Sequence, residues 1–382
     1  MYNGQDIQAR VPHPIVSRPN AIDPYRKGFA IRQPILKFAM HPNITLIVSP
    51  RERFSHTRQA LESLYANTEL PFQLVYVDGG SPRQTRDYLQ QQSIERGFEL
   101  VRTESYLAPN QARNLGLAKA TTEYVVFIDN DVEVAPGWLR HLVACADETQ
   151  ATAVCPLTCI GQPLGHKIHL AGGEARIVLQ VQGDDRQRRV HEKHYFVNRA
   201  VAEVQDQLQR RQCEFAEFHC VLVRRSLFDT IGPLDENLLS TREHIDFCLT
   251  LARVGGTVYC EPAAVVTYVP AVLWRPSDLT FFMLRWSDEW EIRSLKYFRK
   301  KWDLPKKDKY FRKRYRRLGY RRHQAFIKPW VKRLLWGQAP PAVMRPLIAL
   351  DHQLNRWLSD RYYRQHPDRV KLPKRPVVSA NN

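Results

Sequence analysis

Short apolar segments alternate with helix-forming segments between residues 43 and 131, and no other feature constrains the fold as strongly. The strand candidates are residues 44–49, 73–77, 98–102 and 124–128, which are rich in β-branched and aromatic side chains. The helix candidates between them are residues 56–67, 84–96 and 110–120. Strands that alternate with helices indicate βαβ units. We therefore predict an α/β domain with a Rossmann-like, mainly parallel sheet flanked by helices.

Polar residues follow three of these strand candidates. They are Ser49, Asp78 and the triplet Asp129-Asn130-Asp131. Right-handed crossovers place the carboxyl ends of parallel strands on one rim, where open α/β sheets bind ligands. Two carboxylates one residue apart suit Mg²⁺ or Mn²⁺, which typically completes its shell with substrate phosphates. The local alternative is that these residues form a turn and cap the next helix. With its surroundings, the triplet predicts a metal–diphosphate site in a nucleotide-using enzyme.

Seven sequence motifs follow one another along residues 43–270. They are residues 44–49, 75–81, 111–117, 125–131, 169–173, 221–225 with 231–236, and 242–249. Through these motifs the chain resembles the family 2 glycosyltransferases of the GT-A fold. The resemblance implies an enzyme that moves a sugar from a nucleoside-diphosphate sugar to a hydroxyl, with inversion. The expected acceptor is a glycan or a lipid-linked molecule, in the synthesis of a cell-surface glycan or polysaccharide.

The resemblance also assigns residues to the donor. The implied nucleotide-sugar-binding residues are Ser49, Arg51, Asp78, Arg113, Asp129 and Asp131. Asp78 would accept a hydrogen bond from the imide N–H of uracil or thymine, which favours a UDP- or dTDP-type donor. Arg113 would bind the polar edge or the phosphates of the donor. Asp131 would be the direct metal ligand, with Asp129 beside it on the metal or the ribose.

The acceptor half departs from the family pattern. Many members carry Glu-Asp-x-Asp where this chain has Glu243-His244-Ile245-Asp246. A catalytic base must remove the proton of the acceptor hydroxyl, and Glu243, His244 and Asp246 can each do so chemically. Glu243 and Asp246 share a helix face, so we predict that one of them is the base and that His244 lines the site. The alternative is that both acids only complement the helix dipole.

Tyr268 stands where relatives often carry a metal-binding histidine. Metal binding would then rest on Asp131, diphosphate oxygens and water. His169 precedes Gly172-Gly173 in a segment that resembles the acceptor loop of the family. We therefore predict that these three residues contact the acceptor.

Basic residues are concentrated towards the carboxyl terminus. The formal net charge is +18, and residues 285–333 contain 19 Lys or Arg against 5 Asp or Glu, interleaved with aromatic residues. Three interpretations remain open for this segment. A helical extension packs its aromatic residues on the catalytic domain, or it contacts an anionic membrane surface, or it binds nucleic acid. We rank packing first, membrane contact second and nucleic acid last.

The expected organisation has four parts. A proline-rich arm covers residues 1–42, the GT-A domain 43–270, a basic aromatic helical extension 271–363, and a disordered tail 364–382. Within the domain we predict a charged loop after residue 174 and a polar helix at about residues 198–211.

Three features of the sequence predict a cytoplasmic protein or one at the inner membrane face. The first residues lack a signal-peptide pattern, no run of about 18 apolar residues is present, and the seven cysteines suggest buried thiols rather than a disulfide framework. The alternatives to sugar transfer are a GT-A-like protein without catalysis that binds membrane or nucleic acid, and a nucleotidyltransferase.

Overall fold

The computed structural model describes residues 43–182, 185–271, 274–306 and 308–366. All of them belong to one compact unit, residues 41–382. The predicted arm at residues 1–42 lies outside the described residues, as does the predicted tail beyond residue 366.

The elements alternate between strands and helices as far as β4. The strands are β1 (Ile44–Ser49), β2 (Gln73–Gly79), β3 (Glu99–Thr103), β4 (Tyr124–Asp129), β5 (Val132–Val134), β6 (Ala153–Ile160), β7 (Ile168–Leu170), β8 (Gly173–Gln182), β9 (Asp185–His194), β10 (Arg211–Cys213), β11 (Cys220–Arg224) and β12 (Val258–Tyr268). The helices are α1 (Thr57–Asn67), α2 (Arg83–Arg96), α3 (Pro109–Leu117), α4 (Trp138–Thr149), α5 (Val201–Val204), α6 (Leu227–Ile231), α7 (Glu243–Arg253), α8 (Pro276–Arg285), α9 (Asp288–Lys301), α10 (Lys309–Tyr315), α11 (Tyr320–Arg322), α12 (Lys328–Leu334) and α13 (Pro341–Gln365).

The main sheet has the strand order β10-β12-β6-β11-β4-β1-β2-β3, with β5 paired to β12 and β7 paired to β6. The neighbours β3, β2, β1 and β4 are parallel, and β6 is parallel to β12. β11 is antiparallel between β4 and β6. The prediction of an α/β fold with a mainly parallel sheet is confirmed.

The strand order reverses between β1 and β4. The chain proceeds from β1 outward to β3 and then returns to β4 on the other side of β1. Ser49 at the end of β1 is in register with Asp129 at the end of β4. The carboxyl ends of the two strands therefore form the crevice where open α/β sheets bind ligands.

The central strands are apolar on both faces because helices cover both. Every residue of β1 and β4 is buried, as expected for parallel strands inside an α/β sheet. Successive side chains of these strands belong to two separate core clusters, one on each face of the sheet. On one face, α3 approaches β1 at Gly116, where a Cβ atom would lie 2.3 Å from Ile47 Cγ2. Both strand ends are thus held by rigid packing.

The segment after Gly172 differs from the prediction. β8 and β9 form a two-stranded antiparallel hairpin where we predicted a charged loop. Only Val190 is apolar in β9, so no alternating pattern marks this strand in the sequence. The predicted polar helix at residues 198–211 is also shorter, because α5 spans Val201–Val204 and a 3₁₀ turn follows at Gln205–Gln207.

Beyond β12 the described chain is helical. Five aromatic side chains of α8 to α10 are buried: Phe281, Phe282, Trp290, Phe298 and Phe311. α9 begins with a Ser287 cap and carries acidic residues in its first turn and basic residues in its last, which complements the helix dipole. No helix among the described residues is both long and apolar enough to cross a membrane. All seven cysteines are buried and unpaired.

Candidate active site

The residue between the two acids of the triplet stabilises the end of β4. Asn130 Oδ1 accepts a hydrogen bond of 3.1 Å from the backbone N–H of Arg51, and its Nδ2 donates to the carbonyl oxygen of Arg53 at 2.8 Å. These bonds fix the segment after β1 against the end of β4. The flanking carboxylates of Asp129 and Asp131 are therefore held at the crevice.

Asp129 is surrounded by potential cations. Its Oδ1 lies 3.4 Å from Arg113 Nη2, and its Oδ2 lies 3.3 Å from Arg51 Nε and 3.1 Å from His219 Nδ1. The His219 contact has ion-pair distance without hydrogen-bond geometry. Burial alone would raise the pKa of Asp129, but His219, Arg113 and Arg51 hold it below its usual value. Asp129 is therefore an ionised carboxylate that positions two guanidinium groups.

Asp131 differs from Asp129 because its carboxylate has no hydrogen-bond donor or ion-pair partner among the described residues. The side chain is fully buried, and neither carboxylate oxygen accepts a hydrogen bond from any described residue. Burial raises the pKa of Asp131 to about 7, with smaller contributions from Glu52 and Asp129, although Arg51 opposes the shift. An unpartnered buried carboxylate is costly, and a divalent cation with oxygen ligands would remove that cost. Asp131 thus fits a divalent cation.

A cavity of about 230 Å³ opens at this part of the molecule, and Arg51 connects it to Asp129. Four arginines from separate elements line the cavity: Arg51, Arg242, Arg285 and Arg321. Each of these arginines contacts a protein carboxylate. A guanidinium group has five N–H donors, so those that remain fit an anionic ligand such as a diphosphate.

Glu243 at the start of α7 also lines the cavity. Its Oε1 accepts a hydrogen bond of 3.1 Å from Arg285 Nη2, whereas its buried Oε2 has no partner among the described residues. Burial raises the pKa of Glu243, but His244, Arg285 and Arg113 outweigh that effect and hold the pKa below its usual value. Glu243 is thus an ionised carboxylate with one oxygen able to accept a proton.

His244 and Asp246 have different surroundings. The backbone N–H of Phe218 donates to His244 Nδ1 at 3.1 Å, which places the proton of the neutral ring on Nε2. Neither ring nitrogen is then free to act as a base, and burial lowers the pKa of His244. Asp246 does not line the cavity, because Lys301 Nζ and Trp302 Nε1 each donate to one of its oxygens at 2.8 Å. The structure brings only Glu243 and His244 of the three predicted residues to the cavity.

A second group of potential metal ligands lines the same cavity. Glu217 Oε2 lies 3.0 Å from His169 Nε2 and 3.8 Å from His219 Nε2. The three ligand atoms all lie within 4.8 Å of one another. Burial, together with Arg51, lowers the pKa of His219 to about 3, so its imidazole is neutral and able to coordinate a metal. This group and Asp131 are the two candidate cation positions near the cavity, and a further group, His323, Asp351 and His352, lies in the carboxyl-terminal helices.

Tyr268 is part of a buried polar network that reaches the carboxyl-terminal helices. Its hydroxyl donates to Glu52 Oε1 at 2.6 Å, and its ring stacks on His219. Arg321 Nη2 donates to Glu52 Oε1 at 3.0 Å and to Oε2 at 2.8 Å, while Trp286 Nε1 donates to Oε2 at 2.9 Å. Arg321 and Arg51 hold the pKa of Glu52 well below its usual value against the effect of burial. α8 to α11 thus complete one wall of the site.

The remaining predicted residues lie on either side of the crevice. Ser49 is buried beside Asp129 in the sheet register. Asp78 at the end of β2 accepts hydrogen bonds of 2.9 Å from Ser81 N and Oγ, and it also pairs with Arg102. The local turn that Asp78 forms does not use all the lone pairs of its carboxylate.

Gly172 and Gly173 lie outside the cavity lining, unlike His169. A Cβ atom on Gly173 would lie 2.3 Å from the carbonyl oxygen of Lys193. The close approach of the two strands of the β8–β9 hairpin therefore requires glycine at position 173.

Sequence reasoning missed several residues of the cavity: Glu52, Glu192, His194, Glu217, His219, Arg285 and Arg321. Glu217 and His219 directly precede β11. In the sequence, only their position next to an apolar strand could have marked this carboxylate and this imidazole as site residues. Arg285 and Arg321 belong to the basic segment, in which no single arginine stands out.

The strand order and the acids at the end of β4 are those of an α/β domain with a ligand crevice. Residues 45–232 match the family model described as glycosyl transferase family 2. Residues 45–232 belong to this family, and the predicted resemblance is confirmed.

Two relatives illustrate how far the similarity extends. The pre-mycofactocin glycosyltransferase of Mycobacterium tuberculosis is 25% identical over 230 residues, which are 60% of this chain and 43% of the relative. An O-antigen biosynthesis protein of Myxococcus xanthus is 26% identical over 227 residues, which are 57% of this chain and 16% of the relative. The chain therefore spans less than half the length of these curated relatives.

The chain also has a distant structural neighbour. The structure of GalNAc-T7 with UDP, GalNAc and Mn²⁺ aligns with 74% of this chain and 57% of that chain, at 17% identity and a TM-score of 0.47.

Proposed function

We propose that this chain transfers a sugar from a nucleoside-diphosphate sugar to a hydroxyl acceptor, with inversion at the anomeric carbon. The observation that carries the proposal is the buried carboxylate of Asp131, with both oxygens unpartnered among the described residues, at the crevice between β1 and β4. The arginines around the adjacent cavity fit the negative charge of a donor diphosphate.

Asp131 would hold a divalent cation, Mg²⁺ or Mn²⁺, with Asp129 as a neighbouring carboxylate. When bound, such a cation neutralises the charge that develops on the departing diphosphate. Arg51 and Arg113 are oriented by Asp129 and would stabilise the same charge with preorganised guanidinium donors. The His169–Glu217–His219 group offers an alternative ligand set for a transition metal such as Mn²⁺.

Glu243 would act as the base towards the acceptor hydroxyl. Arg285 holds one carboxylate oxygen at 3.1 Å, which fixes the orientation of the carboxylate of this cavity-lining residue. An ionised carboxylate in that position removes the hydroxyl proton as the oxygen attacks the anomeric carbon. In this proposal His244 lines the acceptor side, and Asp246 stabilises the packing of α9 on α7.

The donor nucleotide is proposed to be of the UDP or dTDP type. Asp78 accepts from Ser81 and Arg102 and retains acceptor capacity, which the imide N–H of a pyrimidine would use. His169 is the proposed acceptor contact that lines the cavity, and Gly172 and Gly173 would act by shaping the adjacent segment. A cell-surface glycan is the proposed product class, and the M. xanthus relative is named for O-antigen biosynthesis.

Turnover of a donor panel tests the proposal. UDP-, dTDP- and GDP-sugars are incubated with the protein and Mn²⁺, and release of the nucleoside diphosphate is measured. We expect hydrolysis or transfer with at least one UDP- or dTDP-sugar, its loss on chelation, and its loss in Asp131→Asn but not in the exposed control Asp229→Asn. Absence of both turnover and binding for every donor would contradict the proposal and favour a protein without catalysis.

A further inference from the structure

The part of the carboxyl-terminal extension that contains α10 to α12 has an extreme charge distribution. Residues 309–350 include twelve Lys or Arg and no Asp or Glu. Arg314, Arg321 and Arg322 pair with carboxylates of other elements. The other nine basic residues give the segment a positive potential. Such a segment attracts an anionic partner over a distance of about one Debye length, roughly 8 Å at physiological salt.

The aromatic residues of the extension divide into two groups in the structure. Those of α8 to α10 pack inside the protein, as Trp290, Phe298 and Phe311 show. Beyond α11 several large apolar side chains are exposed instead, although Val331 and Tyr362 are buried. Trp330 is 67%, Leu334 68% and Trp336 95% exposed.

These exposed residues surround the turn between two helices. α12 ends at Leu334 and α13 begins at Pro341, and we call residues 328–347 the hairpin tip. Exposed apolar residues continue into α13 with Val343 and Leu347. Lys332, Arg333 and Arg345 are exposed beside them. The tip thus combines indole and aliphatic side chains with cations at one end of a helix pair.

The base of the helix pair is fixed to the rest of the protein. Asn355 of α13 donates to the carbonyl oxygen of Met283 at 2.8 Å and accepts from the backbone N–H of Asp288 at 3.1 Å. The ring of Tyr362 stacks on Tyr106 at a centroid distance of 5.6 Å. The exposed apolar residues are therefore presented by a rigid support and not by an unattached helix.

We propose that the hairpin tip docks on a membrane surface that contains anionic lipids. Tryptophan is enriched at the level of lipid headgroups because its ring is apolar and its N–H is polar. Lysine and arginine beside it gain from the negative surface potential. A folded tip that exposes three large apolar side chains among cations matches this surface better than it matches nucleic acid, which would use the charges but leave Leu334 in water.

The position of the tip relates membrane docking to the active site. Arg321 on α11 lines the cavity and contacts Glu52, and the chain continues from there through a π-helical turn, His323–Ile327, into α12. Docking would hold the cavity near the lipid surface, where a lipid-linked acceptor is found. This extends the predicted membrane contact of residues 285–333 but assigns it to residues 328–347, since nine of the eleven aromatic residues of residues 285–333 are buried or partly buried.

Flotation with liposomes tests the proposal on the full chain. Vesicles of phosphatidylcholine alone are compared with vesicles that contain about 30 mol% phosphatidylglycerol, which supply the negative surface potential. We expect binding to the anionic vesicles, a strong decrease at high salt, and at least a tenfold loss in Trp330→Ser/Leu334→Ser/Trp336→Ser. The control Ile94→Ser replaces an 84% exposed apolar residue on α2 and should bind like the wild type.

Each other result has a defined meaning. Donor turnover in solution should be equal in the triple variant and the wild type, which separates this proposal from the proposed reaction. Equal flotation of the triple variant, or binding to neither type of vesicle, overturns the proposal. A dimer in sedimentation that becomes monomeric in the triple variant, without vesicle binding by the wild type, would assign the tip to a second copy. Binding to RNA without binding to vesicles would assign it to nucleic acid.

Discussion

At the scale of single residues, Asp129 and Asp131 show how two carboxylates on one strand end acquire different properties. Asp129 has three cationic or imidazole neighbours and a lowered pKa, whereas Asp131 has a raised pKa and no hydrogen-bond donor among the described residues. Asn130 between them bonds to the backbone of Arg51 and Arg53 in the segment after β1. Asp129 orients the side chains of Arg51 and Arg113. Asp131 is available to bind a cation.

Replacement of Asp131 by asparagine should therefore stabilise the protein in the absence of metal. The amide removes a buried charge that no described residue compensates, and such a charge or unsatisfied group costs about 1–3 kcal/mol. We expect a higher melting temperature for Asp131→Asn than for the wild type in the presence of a chelator. With excess Mn²⁺ the order should reverse, because only the wild type gains binding energy. A lower melting temperature of the variant in chelator would indicate that Asp131 has a structural partner.

Replacement of Glu243 by glutamine should lower turnover by about 10²–10⁴-fold, the usual contribution of a general base. Donor binding should change little, because Arg285 can still donate to the amide oxygen. The matched variant Asp246→Asn should lose stability without a comparable loss of turnover per folded molecule. If both acid variants turn over normally and His244→Ala is inactive, histidine is the base.

The sequence was more informative about the donor side than about the acceptor side. Strand ends and an ordered set of motifs mark the positions of Asp129, Asp131 and Arg113, and the structure places Arg113 Nη2 at 3.4 Å from Asp129 Oδ1. Asp246 could not be separated from Glu243 by spacing alone. What separates them is Trp302 and Lys301, which reach α7 from 55 or more residues away along the chain.

At the scale of elements, α8 to α11 act as part of the site. Arg285 and Arg321 reach Glu243 and Glu52 respectively. In the sequence, the many aromatic residues of this segment favoured a helical extension that packs on the catalytic domain. The partners of its arginines could not be predicted, because a contact such as Arg321 to Glu52 joins positions 269 residues apart. The β8–β9 hairpin was not predicted, because β9 contains only one apolar residue and so shows no alternation of apolar and polar side chains.

Replacement of Arg321 by methionine should destabilise the protein, because it leaves the buried carboxylate of Glu52 with fewer donors. Removing one partner of a buried ion pair costs about 3 kcal/mol or more, although the partial exposure of Arg321 reduces this value. The exposed control Arg316→Met should be within about 0.5 kcal/mol of the wild type. Chemical denaturation measures both. Equal unfolding midpoints for the two variants would show that Glu52 does not depend on α11.

At the scale of the whole molecule, the stability of the fold should depend on pH through Glu291 in α9. Burial raises the pKa of Glu291 to about 7, although its carboxylate accepts a hydrogen bond of 3.0 Å from Gly319 N–H. The folded state then binds a proton that the unfolded chain has already released at a pH between about 4.5 and 7. Stability from this group is complete at low pH and is lost as the pH rises through 7.

The variant Glu291→Gln tests this dependence. The difference in the free energy of unfolding between the variant and the wild type should increase in favour of the variant from pH 5 to pH 8. The exposed control Glu104→Gln should show no such trend. A constant difference for Glu291→Gln across this range would contradict the buried, protonated state of Glu291.

The central claim, that Asp131 holds a cation for a nucleoside-diphosphate donor, is tested most directly by calorimetric titration of UDP and dTDP with and without Mn²⁺. We predict binding of at least one nucleotide to the wild type with Mn²⁺, and a decrease of at least tenfold in affinity on omission of Mn²⁺ or in Asp131→Asn. Asp229→Asn, exposed on α6, should bind like the wild type. Nucleotide binding of equal affinity in the wild type and Asp131→Asn, with and without Mn²⁺, would contradict the claim.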